Sequence, residues 1–260
     1  MTLDHAPIPA RDAALPSIRL VTWNVERPRT GSIARNTIVN AKLCEIDADI
    51  VVLTETHASI RPDSRFDSRA TDIHADNQWR YLNNPHTSGE NCTTIWSRWP
   101  IIHQPETFDA THAICVEIST PFGALIVYGS IITWHADKGS DGAAKNWTEH
   151  HKAIEWHGRD WSKLRPFCVA GDFNTTLDGT YYGTKQGRDL LRTALIDGDL
   201  VCVTQALPLT IDHICLSRDW ANQVEHCFMW QAYNPAGRAI SDHPGVGVDI
   251  RIPGAPYGNV

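Results

Sequence analysis

Apolar, β-rich runs that end in acids, amides or imidazoles recur along this 260-residue chain, and that pattern constrains its fold more than any other. The runs close on Asn24 and Glu26, on Glu55, on His135, on Asp172 and Asn174, and on Asp212. A further pair, Asp242 and His243, sits in a turn just before the last run. One acid at a strand end reads as a turn or helix cap. Repetition on segments that otherwise want burial reads differently, because such groups are costly to bury unless they pair or hold an ion. Strand ends are also where open sheets place their ligands. Carboxylates grouped with an asparagine suit a hard, oxygen-preferring cation, Mg²⁺ or Mn²⁺, rather than zinc or copper. Alternation along a strand puts Asn24 and Glu26 on one face with Trp23 and Val25 on the other. It likewise opposes Asp172 and Asn174 to Phe173, which points back into the core.

The segments between these ends alternate strands with polar connections. SIRLVTWNVE (17–26) and DIVVLTE (49–55) read as strands, the second buried on both faces. CTTIWSRWPI, HAICVEIST, ALIVYGSIITWH, PFCVAGDFN, LTIDHICLS and GVGVDIRI supply more. SIARNTIVNAKLCEI (32–46) reads as a helix opened by Ser32, and AAKNWTEHHKAIEWHGRDWSKL (143–164) as the clearest helix. Its apolar stripe runs Trp147, His150, Ile154, His157, Trp161 and Leu164. A helical zinc site from His150, His151, Glu155 and His157 lacks HExxH spacing, so core or boundary histidines are expected. Residues 57–90 form a long polar connection of the kind that borders sites. Many strands with few helices point to packed sheets in an α/β domain. A loose leader over 1–16, one domain over 17–253 and a tail over 254–260 complete the organisation.

Composition narrows the partners. Hydrophobic residues make up 42 % of the chain, ample for one large core, and the net charge is −7. That charge argues against a globally basic nucleic-acid wrapper while leaving room for a local basic rim. No apolar stretch approaches a membrane span, so no membrane partner is expected. The acidic, proline-containing opening does not read as a secretory signal. Seven cysteines without CxxC spacing read as reduced, mostly buried thiols of a cytoplasmic protein.

TWNVE (22–26), VVLTE (51–55), SRWPI (97–101), GDFN (171–174), IDHI (211–214) and SDHPGV (241–246) stand in the order typical of the endonuclease/exonuclease/phosphatase family. The chain resembles that family from about residue 18 to 252. The resemblance implies a four-layered α-β-β-α sandwich with two packed mixed sheets, and metal-dependent phosphoester hydrolysis. It makes Glu55 the principal metal ligand, with Asp242 and Glu26 in the metal region and Asn24 orienting Glu55 or a bound water. Asp172 and Asn174 would position the attacking water, and His243 would stand beside the phosphate with Asp212 fixing its tautomer. Either Asp172 or His243 would serve as the general base. A histidine at position 135 sides with the deoxyribonuclease, sphingomyelinase and inositol-phosphate phosphatase branch, whereas repair endonucleases typically carry a tyrosine in this region. Arg27 and Arg188 are candidates for phosphate contacts, and Tyr182 and Trp134 for stacking or a pocket wall. An intracellular nuclease acting on nucleic acid is the leading expectation, with a small-molecule or lipid phosphoester as the alternative substrate.

Overall fold

A computed structural model describes residues 8–11, 16–72, 88–139, 142–179 and 181–252 of the chain. Strands β1 (Ser17–Asn24), β2 (Ile50–His57), β3 (Asp67–Ala70), β4 (Glu90–Ser97), β11 (Val224–Trp230) and β12 (Gly245–Arg251) form one sheet in the order β11-β12-β1-β2-β4-β3. A second sheet runs β5-β6-β7-β8-β10-β9, from β5 (Ile101–His103), β6 (Ala113–Thr120), β7 (Gly123–Ile131), β8 (Cys168–Asp172), β9 (Leu200–Cys202) and β10 (Asp212–Ser217). Both sheets are mixed: β1 pairs parallel with β2, and β7 with β8, among antiparallel neighbours.

Alternation along the strands assigns each face its layer. Ile18, Leu20, Ile50, Val52 and Ile95 of the first sheet meet Val116, Val127, Ala170 and Ile214 of the second in one buried seam. The alternate residues Val21, Trp23, Val51 and Leu53 pack under α1 (Ile33–Ile46) through Val39, Leu43 and Ile46. On the other side Tyr128, Val169 and Cys215 pack under α2 (Thr148–Leu164) and α3 (Lys185–Asp197) through Ile154, Trp161, Leu191 and Leu195. The layers therefore run α-β-β-α. A short α4 (Arg218–Ala221) follows β10.

Several local expectations change. Ser32 does occupy the α1 N-cap, but its side chain makes no capping hydrogen bond. α2 starts at Thr148, five residues later than the periodicity suggests, because Trp147 takes a left-handed cap conformation with φ 71°. Trp147 thus leaves the core stripe and joins a loop. β1 stops at Asn24, and Glu26 has φ 51°, so strand alternation does not extend to Glu26. His150 and His157 are buried in the core: the His150 ring bonds Thr133 O at 2.6 Å and Thr175 Oγ1 at 2.9 Å, and His157 Nδ1 bonds Ser130 Oγ at 2.6 Å. Burial lowers both imidazoles to about 4, which keeps them neutral. All seven cysteines are free, with Cys44 and Cys227 exposed. Among the described residues no helix is long and apolar enough to cross a membrane.

Residues 1–7 and 12–15 of the expected leader, 73–87 of the long connection and all of the expected tail lie outside the described residues. Within the leader Arg11 pairs with Asp49 at 2.7 Å.

Candidate active site

The inward-facing row of each central strand continues past the apolar seam into polar residues. On β1, Ile18 and Leu20 lead to Asn24; on β8, Cys168 and Ala170 lead to Asp172; on β10, Leu216 and Ile214 lead back to Asp212. Asp172 and Asp212 are directly paired across β8 and β10. The site therefore lies where the seam between the two sheets opens.

Asn24 ties the sheets together. Its Nδ2 donates to Glu55 Oε1 at 3.1 Å on its own sheet and to Asp172 Oδ2 at 3.0 Å on the other. Alternation would send Glu55 outward with Val51 and Leu53, but φ 46° at this residue breaks the pattern and lets its carboxylate reach Asn24. Asn174, with φ 47°, donates from its backbone N–H to Asp172 Oδ1 at 2.8 Å and from Nδ2 to Asp172 Oδ2 at 3.2 Å. Left-handed backbone at such residues stores strain and gathers at functional sites. Glu26, Arg27, Glu55 and Asn174 all have it.

His243 and Asp212 form the opposite wall, Nδ1 to Oδ2 at 2.6 Å. Ser241, which the sequence reading passed over, locks this wall to β1. Its hydroxyl donates to Asn24 O at 2.7 Å and accepts from the His243 backbone N–H at 3.1 Å. The Trp23 indole N–H also donates to His243 O at 3.0 Å. The SDH motif was the available signal for Ser241. Asp242, with a 73 % exposed side chain, lies 3.8 Å from His243 Nε2. Glu26 donates its backbone N–H to Asn24 Oδ1 at 2.9 Å, and its carboxylate pairs with Arg35 at 3.2 Å.

Burial governs the electrostatics. It pushes the Glu55 carboxyl above its ordinary range, and the Asn24 bond offsets only part of the rise. Burial raises Asp172 too, opposed by His243 and reinforced by Asp212. For His243 burial alone would favour the neutral ring, but the Asp212 and Asp172 carboxylates outweigh it and lift the imidazole to about 11. Ligand atoms of Asp172, Asp212 and His243 lie within 4.8 Å of one another, so this group could hold a metal ion. Asp212 Oδ1 is buried without a hydrogen-bond partner, a donor atom of the kind a cation would satisfy. The oxygen-rich donor set fits a hard divalent ion.

The remaining expected residues divide. His135 Nδ1 bonds the Tyr182 hydroxyl at 2.8 Å, inside a ring cluster with Trp134 at 5.1 Å and Trp147 at 5.4 Å between centroids. Arg27 pairs with Glu90 at 2.9 Å. Arg188 Nη1 is buried with no hydrogen-bond partner.

The sequence profile of the Endonuclease/Exonuclease/phosphatase family matches residues 21–243. Among solved structures, an AP endonuclease from Archaeoglobus fulgidus is 14 % identical with TM-score 0.65, over 90 % of this chain and 100 % of that one. The AP endonuclease LMAP from Leishmania major is 15 % identical with TM-score 0.65, over 94 % and 90 %. The human Nocturnin catalytic domain is 14 % identical with TM-score 0.63, over 90 % and 93 %. At these identities the likeness concerns the fold. A comparison with curated proteins gives no significant match. Profile, layers and motif order agree: the chain belongs to the endonuclease/exonuclease/phosphatase family of phosphoesterases.

Proposed function

We propose that the chain is a Mg²⁺- or Mn²⁺-dependent phosphodiester hydrolase, acting in the cytoplasm as a nuclease. One observation carries the reading: the Asn24 amide joins Glu55 of one sheet to Asp172 of the other, opposite the Asp212–His243 pair. A floor of carboxylates repels a phosphate diester, so the arrangement suits phosphate only with a cation present. Glu55, Asp242 and Glu26 would hold that cation, which would neutralise charge on the phosphate oxygens. His243 is the poorer ligand of the candidate metal group, because Asp212 and Asp172 keep it protonated.

The same protonation supports one assignment of the acid and base roles. His243 enters as an imidazolium beside the phosphate and cannot serve as the base, whereas Asp172, raised by burial and aimed by Asn24 and Asn174, can take the proton of the attacking water. His135 faces the leaving oxygen. Arg188 contacts a neighbouring backbone phosphate, and Trp134 and Tyr182 wall the pocket. Arg27 contributes less to phosphate binding than its place after the first motif suggests, since Glu90 already engages it. Seven free thiols suit a reducing compartment.

The test is an assay of the purified chain with Mg²⁺ or Mn²⁺ on plasmid, single-stranded DNA, RNA and bis-p-nitrophenyl phosphate. Cleavage of a nucleic acid that chelator abolishes is expected. Turnover of the small ester alone would move the substrate to small phosphoesters, and no metal-dependent turnover on any of them would remove the reading.

A further inference from the structure

Cys202 of β9 and Cys215 of β10 are directly opposed in the antiparallel pairing of these strands. The neighbouring pair, Val203 and Ile214, is joined by Val203 N–H donating to Ile214 O at 3.0 Å. Opposed pairs alternate between bonded and non-bonded positions, so Cys202 and Cys215 occupy a non-hydrogen-bonded one. There Cα atoms stand about 4.5 Å apart and side chains approach most closely. A disulfide accepts Cα separations of about 4.4–6.8 Å, so closure asks for little backbone movement. Both thiols belong to the cluster under α2 and α3, on the face of β10 turned away from the seam. They interact strongly enough that each alters the other's ionisation. β9 is the last strand of its sheet, which leaves Cys202 6 % exposed while Cys215 is fully buried.

We propose that Cys202 and Cys215 are a peroxide-sensitive dithiol that closes reversibly to an intrachain disulfide. Cys202 meets the oxidant first, because it lies on the sheet edge. Its sulfur attacks one peroxide oxygen, the O–O bond breaks, and the thiol proton leaves with the departing hydroxide as water, giving a sulfenic acid. The Cys215 sulfur then displaces the sulfenic hydroxyl, which departs with the Cys215 proton as a second water. Two thiols and one hydrogen peroxide become one disulfide and two waters. Thiol exchange reverses the closure: one thiolate attacks the disulfide to give a mixed disulfide, and a second thiolate displaces the remaining cysteine sulfur. This inference does not depend on the hydrolase reading, since Asp212 faces the opposite side of β10.

Peptide mapping tests it on the full chain. Protein is treated with hydrogen peroxide until half of the exposed Cys227 is oxidised, the remaining thiols are alkylated under denaturant, and the chain is cleaved before aspartates without reduction. Residues 199–211 and 212–218 then separate Cys202 from Cys215. Both fragments joined, two hydrogens lighter than their sum and released by dithiothreitol, is the expected result. Recovery of both fragments singly alkylated, or Cys202 joined to Cys227, overturns the proposal. Cys215→Ser should abolish the joined fragments and leave Cys202 trappable by dimedone as a sulfenic acid.

Discussion

Glu55 and Asp212 are both strand-end carboxylates, yet their surroundings give them different work. Glu55 has the Asn24 amide as its hydrogen-bonding partner and lies near exposed Asp242, whereas Asp212 spends one oxygen on His243. Glu55→Gln should therefore weaken Mn²⁺ binding at least about tenfold, and Asp212→Asn should change it far less. Calorimetric titration of the two variants decides this. The reverse order would place the cation on Asp172, Asp212 and His243. Asp212→Asn should act on His243 instead. After burial, which opposes charging, the Asp212 carboxylate is the largest influence on this ring, and it raises it. Without it His243 should titrate at about pH 6–8 by NMR, where the native ring stays protonated beyond about pH 9. Tyr182 is the third residue whose role can be isolated. Tyr182→Phe keeps the ring edge against His135 and deletes the hydroxyl at Nδ1. A fall in kcat of about tenfold with little change in KM or Tm is expected, as for loss of a partner that orients a catalytic imidazole. A raised KM with intact kcat would instead make Tyr182 a stacking surface.

Strand β8 shows how an element turns sequence into site geometry. It lies parallel to β7 with Gly171 opposite Ser130, and a Cβ on Gly171 would fall 1.8 Å from Ser130 O. Its φ of 144° is also one that side chains rarely adopt. Gly171→Ala should cost on the order of 3 kcal/mol, read as a lower denaturant midpoint, and should impair turnover by moving Asp172. An alanine variant of native stability would show that β7 and β8 can part without cost. The strands visible in the sequence were those with an apolar row to bury: β1, β2, β4, β6, β7, β8, β10 and β12 all lie in apolar runs. β3 (DSRA) carries no such row, β9 has three residues, and the first half of β11 is polar and mostly exposed, so burial left no mark on them. The meeting of Asn24, Asp172, Asp212 and His243 was legible because each polar group ends or borders a run that must be buried. The face that alternation assigns to Glu26 does not hold, because this residue lies beyond the end of β1 and is itself left-handed, which alternation cannot foresee. Ser241 and the Tyr182–His135 bond depend on how two loops fold back, and no periodicity reports that.

The response of the whole molecule to pH follows from groups whose folded pKa values lie above or below their unfolded ones. Burial raises Glu55 and Asp172, and the neighbouring carboxylates, against the effect of burial, raise His243 to about 11. A group whose folded pKa lies above its unfolded one stabilises fully below the unfolded value, and the contribution is lost as pH rises through the folded one. For the two carboxyls that loss begins above about pH 4, and for His243 above about pH 6.5. Asp109 runs the other way. Burial would raise it, but His112 at 2.7 Å holds it well below the carboxylate range, so its stabilisation vanishes only in strong acid. Buried, neutral His150 and His157, lowered to about 4, also cost stability as pH falls below about 6.5, which offsets the gain from the two carboxyls there. Metal-free protein should thus hold its stability up to about pH 6.5 and lose it toward alkaline pH. A divalent cation that binds the folded carboxylates alone offsets this loss and competes with protons for the same oxygens. At about a hundred times its Kd it contributes about 2.7 kcal/mol, or about 5–10 °C in Tm for a chain of this size. The expected outcome in scanning calorimetry is a Mn²⁺-induced rise in Tm that is larger at about pH 8 than at about pH 5 and that chelator reverses. Glu55→Gln should shrink that rise at both pH values. An equal rise at both, untouched by Glu55→Gln, would mean that the cation binds away from the seam and that these carboxylates are not what it neutralises.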